Sequence, residues 1–362
     1  MDYKDLRVLH ITKKELKSYL LCPSSERSFD LPLSDNKAMW LLEKPNMSDD
    51  DYCAIIAIGN KDLLSFCYLV PESIPSIDGK TYWMPQWWVS KSVQNPVIST
   101  FVFREALNAI DKKVITKAYE ENAAAFYKKQ PFSIIGTTVR HSIFIAFDSN
   151  MATQKISFLK HFKFFSKFLE KSSFRINTIL NRSKIKRLSK DLKIKYIHKI
   201  DVDGWSFVKP FLQNDFIPKT QEYLNWQIDS RQYLLTPLET KRKNKAVIKG
   251  FGKNIGIVNY QIFHHDKMIG FVSLHYYKTI AYLKYSIAEQ EYMAQLSSTI
   301  YEHMSELGLT YLFTDNQILS ESFNDNLFVF FHHKQTKKAM AHNSIHKQLK
   351  TNQLMEQDGH FN

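Results

Sequence analysis

The sequence predicts a mixed α+β protein of two domains, each a mostly antiparallel mixed sheet flanked by helices. Three observations support this. The 362 residues exceed one typical domain. Apolar residues make up 44% and aromatic residues 14%, which suffices for two buried cores. A similar order of predicted strands and helices occurs twice, first over about residues 5 to 148 and again, more coarsely, from Tyr196 onward.

The charge is concentrated in one segment. The chain carries 49 Lys+Arg against 36 Asp+Glu, a net charge of +13 that could indicate nucleic acid or an anionic surface as a partner. Residues 155–199 contain 14 of the basic residues and only two acids, Glu170 and Asp191, and so hold +12 of this charge. The remainder is nearly neutral. We therefore expect nucleic acid as a less favoured partner and place the basic segment between two domains.

The predicted domain order follows from these composition changes. The expected boundaries are a first domain over 1–150, a basic amphipathic helical linker over 151–195, a second domain over 196–340, and a polar, frayed tail over 341–362.

The cysteines and the hydropathy of the chain indicate the cellular compartment. Cys22, Cys53 and Cys67 have no metal-ligand spacing, and two of them lie in apolar runs, which favours reduced interior thiols. The first residues lack the basic-then-apolar order of a signal peptide, and nowhere do about eighteen apolar residues run together. We expect a cytoplasmic protein without a transmembrane segment.

The first domain alternates strands and helices. The predicted strands are Val8–Ile11, Tyr52–Ile58, Leu63–Val70, Tyr82–Ser90 and Val114–Ala118, and the predicted helices are Thr12–Leu21 and about Pro96–Ile110. Gly59-Asn60 is the expected turn of a hairpin. Pro85 indicates either a bulge or an edge position, because proline cannot donate to a sheet ladder.

A short motif follows these elements. Glu120 to Phe132 predicts a short helix with three consecutive alanines, Phe126 and Tyr127, ended by Pro131. Two strands are expected next, one from Ser133 to Val139 and one from Ser142 to Phe147.

This order, with a tyrosine five residues before a phenylalanine, resembles the C-terminal half of a GNAT acyl-CoA N-acyltransferase domain. Pro131 stands where that family usually has glycine. The resemblance covers most of residues 5 to 148 and extends to the second half only through element order. It implies two GNAT-like domains in tandem, the second degenerate.

The resemblance also implies a function. An acyl group would be moved from a cosubstrate, acetyl-CoA or another acyl-CoA, to an amine of a small-molecule or peptide acceptor. The family's pyrophosphate motif falls on residues 91–100, where Gln94 matches its start, Ser99 is small at its end and Val97 replaces its first glycine. A Cβ there restricts close approach of the backbone to a phosphate. The implied cofactor-binding residues are Val89, Gln94, Asn95, Val97, Ser99, Thr100 and Asn122.

Two catalytic residues are implied. Tyr127 matches the tyrosine that lies near the leaving sulfur and would donate a proton to the thiolate, although it could equally be a core residue. Glu120 is a candidate base, since the strand Tyr82–Ser90 holds no acid, but it could simply favour the helix start. Glu72 and Glu121 are the other near carboxylates in the chain. Asn122 could bond pantetheine or cap the helix.

The basic segment contains a periodic apolar pattern. Phe158, Phe162, Phe165 and Leu169 recur at helical spacing among lysines, and Ile185, Leu188 and Leu192 indicate a second helix. Such a helix could bind a membrane surface or nucleic acid. We favour a linker that packs its phenylalanines between two domains.

The second half lacks a matching anion site. Ala288 to Met293, the segment in the pyrophosphate position, contains Glu289 and Glu291, which oppose an anion at a helix start. We expect this half not to bind coenzyme A in the usual way. His264-His265 and His332-His333 have no supporting ligand spacing, and no metal site is predicted.

Two functions from other classes remain open. The missing loop glycines fit a non-catalytic binding or scaffold protein that has kept the fold. The +12 segment would fit a relative of the Fem-type peptidyltransferases, which resemble paired GNAT domains and use aminoacyl-tRNA.

Overall fold

The computed structural model describes most of the chain. It covers residues 6–349 except 24, 28, 30, 60–61, 91–92, 94–95, 118–125, 156–160 and 234–254, together with 354, 358, 359 and 361. The strands are β1 (Arg7–Thr12), β2 (Tyr52–Gly59), β3 (Asp62–Glu72), β4 (Thr81–Val89), β5 (Val114–Lys117), β6 (Phe132–Phe144), β7 (Leu192–Tyr196), β8 (Ile255–His264), β9 (Lys267–Tyr277), β10 (Ile280–Ala288), β11 (Tyr311–Thr314) and β12 (Phe331–His342). The helices are α1 (Lys13–Leu21), α2 (Asp35–Leu42), α3 (Pro96–Ala109), α4 (Ser149–Lys155), α5 (Lys163–Leu188), α6 (Val202–Val208), α7 (Gln221–Gln227), α8 (Met293–Glu306), α9 (Gln317–Asn326) and α10 (Asn343–His346).

The chain divides into two compact units, each made of separate segments. Unit 1 comprises Met1–Thr137, Leu212–Gly252 and Lys337–Asn362, and unit 2 comprises Thr138–Phe211 and Lys253–Thr336. Strands β6 and β12 therefore have residues in both units. The contiguous boundaries at residues 150, 195 and 340 stay predictions, and the compact units follow them only in part.

The sheet of unit 1 has the strand order β1-β2-β3-β4-β5, followed by the second half of β12 and the first half of β6. β1 through β4 pair antiparallel in sequence, β4 and β5 pair parallel, and β12 runs antiparallel to β5. The predicted mixed and mostly antiparallel character is thus confirmed for this unit.

Local signals account for the first elements of unit 1. The Thr12 hydroxyl accepts from the Glu15 amide, and the Glu15 carboxylate accepts from the Thr12 amide, which forms a capping box at the start of α1. Residues Tyr52 to Gly59 pair with Asp62 to Tyr68 as the predicted hairpin. Both predictions from the sequence are confirmed.

The segment 212–233 packs against α2 within unit 1. Trp40 and Trp226 stack with ring centroids 4.2 Å apart, and each indole Nε1–H donates to the carbonyl oxygen of the other residue at 2.6 Å. Lys37, which is buried, donates to the side-chain oxygen of Gln232 at 2.9 Å. These reciprocal bonds satisfy the polar atoms of two large buried rings.

The described part of the tail is packed into unit 1, whereas the sequence analysis expects it to be frayed. Leu354 and Phe361 are buried, and Phe361 lies against Trp83 and Trp226. The Lys219 ammonium lies 2.8 Å from Asp358 and 3.5 Å from Asp215, and all three side chains are fully buried. An apolar and a charged anchor thus hold a segment whose composition is polar.

The sheet of unit 2 has the order β6-β11-β10-β9-β8-β7, with the first half of β12 on the other side of β6. β10 and β11 pair parallel, and the pairs β6–β11, β9–β10, β8–β9 and β7–β8 are antiparallel. Helices α8 and α9 cover one face through a core that includes Leu296, Ile300 and Phe323. A tight turn from His264 to Lys267 joins β8 and β9, with His265 and Asp266 at positive φ.

The structure corrects the two strands predicted after Pro131. β6 runs without interruption from Phe132 to Phe144, because Arg140-His141 contains no turn-forming residue, and His141 pairs with Thr314 of β11.

The basic segment also differs from expectation. One helix, α5, spans 26 residues instead of two shorter helices, and Leu192 begins β7. Phe162, Phe165 and Leu169 are exposed, so the expectation that they pack between two domains is wrong. Among the described residues no helix is long and apolar enough to cross a membrane.

Candidate functional site

Strands β4 and β5 part soon after they meet. They pair parallel only at Tyr82–Val114 and Trp83–Ile115. Beyond these pairs β4 continues beside β3 as far as Val89, while β5 continues beside β12 as far as Lys117. The two strands therefore diverge beyond these pairs, and we call the place where they part the open strand end.

A bulge in β4 lies where the strands part. Tyr68 of β3 pairs with Gln86 and Val70 pairs with Trp83, so two steps on β3 correspond to three on β4. The additional residue falls at Met84-Pro85, and proline needs no partner for an N–H there. The register shift supports the bulge interpretation of Pro85. Because the printed pairs of β4 with β5 end at Trp83, Pro85 also lies on a locally unpaired side of β4, so the edge interpretation stays open.

Helix α3 begins shortly after β4 ends. Pro96 occupies its first position, where the absent N–H costs nothing. Val97 is 64% exposed, Ser99 is buried, and the carbonyl oxygen of Ser99 accepts from the Trp87 indole at 3.2 Å. The first amides of any helix have no acceptor within the helix and favour anions.

The predicted cofactor-binding residues fall partly in this region. The structure places Val89 at the end of β4 and Val97, Ser99 and Thr100 in the first turns of α3. Gln94, Asn95, Asn122 and Glu120 lie outside the described residues.

Tyr127 is a buried member of an aromatic cluster. The side chain is 4% exposed and contacts the rings of Trp87, Phe103, Phe126 and Phe132. Since Trp87 belongs to β4 and Phe103 to α3, the cluster joins Tyr127 to both elements that bound the open strand end.

Glu72 is engaged in a buried structural network. Its carboxylate lies 3.1 Å from the Lys44 ammonium and accepts from the Tyr223 hydroxyl at 2.5 Å. Burial lowers the pKa of Lys44, while the neighbouring Glu72 carboxylate opposes that shift. A carboxylate with these two partners is a poor base for an external amine, and β4 itself carries no acid.

The C-terminal tail reaches the point where β4 and β5 part, which its polar composition does not indicate. A Cβ on Gly359 would lie 3.1 Å from the Trp83 ring and 3.5 Å from the Lys117 Cβ, and φ is +75° there. Only glycine allows this approach at little cost. Asp358-Gly359, a turn-forming pair before Phe361, is the one sequence signal that could have indicated it.

Unit 2 repeats the geometry with different chemistry. β10 and β11 pair only from Ile280–Tyr311 to Tyr282–Phe313, and a register shift between Leu283 and Tyr285 leaves Lys284 as the additional residue. Burial lowers the pKa of Lys284 to about 7. The turn before α8 carries Glu289, which pairs with Lys267 at 3.5 Å, and Glu291. The absence of coenzyme A binding by this unit stays a prediction.

His303 makes unit 2 sensitive to pH. Its ring stacks on Tyr260 at 4.1 Å, Nδ1 donates to the Thr299 carbonyl at 2.7 Å, and Nε2 accepts from the Tyr196 hydroxyl at 3.1 Å. An imidazolium could not accept that bond. Burial lowers the pKa of His303.

We expect the free energy of unfolding to fall on acidification. Because the folded pKa lies below the unfolded value of about 6.5, the unfolded chain binds more protons, and the contribution of His303 is full above that value and lost below it. Urea titrations at pH 7.5 and 5.5 should show this loss, and His303→Gln should reduce the difference. His198→Gln, which removes an exposed imidazole, should leave it unchanged. If His303→Gln loses as much free energy of unfolding between pH 7.5 and 5.5 as the wild type does, His303 is not the group responsible.

Comparison with known proteins identifies the architecture. No protein-family model matches the chain, and no curated protein sequence matches it. Saccharomyces cerevisiae N-myristoyltransferase with bound myristoyl-CoA is similar with a TM-score of 0.51 at 11% identity, over 94% of this chain and 83% of that chain. A tandem GNAT protein from the clavulanic acid pathway gives 0.49 at 10% identity, over 93% and 97%. A GCN5-related N-acetyltransferase from Kribbella flavida gives 0.44 at 11% identity, over 94% and 72%.

These likenesses concern backbone architecture. The strand order, the parting strands and the helix that follows them occur in both units, and the resemblance to GNAT proteins and the predicted fold class are confirmed at that level. The chain has a mixed α+β fold similar to that of N-myristoyltransferase.

Proposed function

We propose that unit 1 is an N-acyltransferase that moves an acyl group from an acyl-CoA to an amine. The observation that supports this most directly is the open end of β4 and β5 beside the start of α3. An acyl thioester needs an extended groove with backbone donors, and a pyrophosphate needs amides at a helix start. The structural relative N-myristoyltransferase carries myristoyl-CoA.

The residues fit the donor, although the site differs from the family pattern. In our proposal the pyrophosphate and pantetheine contacts come from Val89, Gln94, Asn95, Val97, Ser99, Thr100 and Asn122. The Cβ of Val97 limits how closely the backbone can approach a phosphate, but the side chain itself is exposed.

The proposed chemistry is a direct transfer. Backbone N–H groups of β4 near its bulge polarise the thioester carbonyl while the amine nitrogen attacks its carbon, which forms the C–N bond and breaks the C–S bond. The Tyr127 hydroxyl gives its proton to the leaving thiolate, and the proton that the newly acylated nitrogen loses returns through water to restore that hydroxyl. Glu120, directly or through water, takes the proton that the ammonium must lose before it attacks.

The finer assignments belong to the same proposal. We favour acetyl-CoA as donor and a small-molecule or peptide amine as acceptor. We also propose that the protein acts in the cytoplasm, which suits the unpaired state of Cys22, Cys53 and Cys67.

Calorimetric titration with coenzyme A tests the site. Val97→Glu should weaken binding about three- to tenfold, because it adds a negative charge to the first turn of α3. Phe101→Glu adds the same charge one turn later on an exposed position and should change the dissociation constant less than twofold. Equal weakening by both variants would place the anion elsewhere, and no binding by the wild type would indicate a non-catalytic protein on this fold.

A further inference from the structure

Helix α5 of unit 2 turns seven of its apolar side chains outward. Phe164 is 88% exposed and Ile179 72% exposed. The other exposed apolar side chains of the helix are Phe165, Phe168, Leu169, Ile176 and Leu180. At about 100° per residue all seven positions fall within an arc of about 160° on one side of the helix, with Phe164 at its edge. We call these seven residues the apolar face of α5. Single exposed apolar side chains are common on protein surfaces, but a continuous apolar face of this length indicates an interaction site.

The opposite face of α5 packs Phe174, Ile185 and Leu188 against the core of unit 2, and two buried asparagines on it fix how the helix is rotated. Asn177 and Asn181 both donate to the Phe328 carbonyl at 3.0 Å, and the Phe328 amide donates to Asn181 at 2.7 Å. The Tyr301 hydroxyl donates to Asn177 at 2.5 Å. Both asparagines are buried. Rotating α5 to hide its phenylalanines would break four buried hydrogen bonds, so the outward apolar face is a property of the fold.

Cations line one side of the apolar face. Lys167, Lys171 and Arg175 recur at intervals of four and form a row, and Arg182 and Lys186 continue it. The one acid of α5, Glu170, lies on the inner side and accepts from the Ser149 amide at 2.8 Å. The outer surface of the helix therefore combines aromatic and aliphatic side chains with positive charge only.

We propose that α5 binds an anionic lipid bilayer surface and lies in its plane. The apolar face would enter the boundary between headgroups and acyl chains, and the row of cations would lie at the level of the lipid phosphates. Nucleic acid fits this surface less well, since the centre of the exposed face is apolar and the cations are at its side. The proposal does not depend on acyl transfer and concerns binding alone.

Flotation of the full-length protein with vesicles tests it. We expect binding to phosphatidylcholine vesicles that contain 30% phosphatidylserine, little binding to pure phosphatidylcholine, and weaker binding as salt increases. Phe165→Ser with Phe168→Ser should lower the partition coefficient at least tenfold. Replacing Lys167, Lys171 and Arg175 by Gln should lower it about a hundredfold at low salt, since each cation near the surface contributes about fivefold.

A matched control removes exposed apolar side chains elsewhere. Leu21→Ser with Val202→Ser should bind vesicles as the wild type does, because neither residue belongs to the apolar face of α5. Circular dichroism melts establish that all variants fold, which is expected because only exposed side chains are changed.

Four results would overturn the proposal. They are no flotation of the wild type, equal flotation of the phenylalanine variant, flotation that the charge variant and salt leave unchanged, and loss of flotation in the control pair. Transfer RNA binding or self-association that is lost in the α5 variants, without vesicle binding by the wild type, would assign this face to RNA or to a second copy of the chain instead.

Discussion

Tyr127→Phe is expected to lower kcat by about 10²- to 10⁴-fold with little change in Tm. The substitution removes only the hydroxyl that we propose as proton donor, and general acid catalysis contributes about that factor. The ring stays in its cluster with Trp87, Phe103, Phe126 and Phe132. Release of free thiol from acetyl-CoA with a panel of amines measures the rate, and a thermal melt measures Tm.

A second tyrosine gives the matched control. Tyr68→Phe removes another buried hydroxyl from unit 1, on a strand that does not bound the opening, and should leave kcat within about twofold. Parallel losses of rate and Tm in Tyr127→Phe would show that Tyr127 is a core residue and would remove it from the proposed mechanism.

Lys219→Met is expected to reduce the free energy of unfolding of unit 1 by about 3–5 kcal/mol, the usual cost of leaving a buried charge without its partner. Lys219 is the shared partner of Asp215 and Asp358, and its ammonium also donates to the Ile217 carbonyl at 2.8 Å. Its loss leaves two carboxylates buried together. Urea titration followed by tryptophan fluorescence reports mainly on unit 1, because five of the six tryptophans lie there.

Lys195→Met in unit 2, followed by far-ultraviolet circular dichroism in the same urea titration, is the control for this variant. Its ion pair with Asp201 has a similar distance, 2.9 Å, but both side chains are about half exposed. Such pairs contribute about 0–1 kcal/mol. A cost below about 1 kcal/mol for Lys219→Met would mean that water or chain movement relieves the two carboxylates.

Elements with local signals were predictable from the sequence. The Thr12 cap, the hairpin of β2 and β3, and the start of α3 at Pro96 depend on residues close in the chain, and all three are found where expected. The position of Pro85 in a bulge follows from a missing donor, which is also a local property.

Long-range features were not predictable in this way. The second half of β12 belongs to unit 1 because it pairs with β5, for example Ala339 with Lys117. These residues are far apart in the chain, so no local sequence pattern predicts their pairing. The orientation of α5 was missed because the usual rule places phenylalanines inward, whereas here Asn177 and Asn181 face the protein.

The candidate site divides along the same line. The strand and the helix on either side of the site were predicted from periodicity and from Pro96. The expected effect of Val97 on phosphate approach was predicted because Val97 stands where the family motif has glycine. The engagement of Glu72 by Lys44 and Tyr223 could not be foreseen, since Tyr223 is 151 residues away in the chain. Glu72, a candidate base in the sequence, is thereby engaged by other side chains in the fold.

The insertion of residues 337–342 beside β5 sets the order of events during synthesis on the ribosome. The first half of the chain emerges early, but the strand that completes its ladder is translated after all of unit 2. During that interval the N–H and C=O groups on one edge of β5 have no partner strand, and such edges can pair with strands of other chains. Chaperone dependence and slow, late closure are therefore expected costs of this topology, and they arise from chain connectivity rather than from any weakness of the finished core.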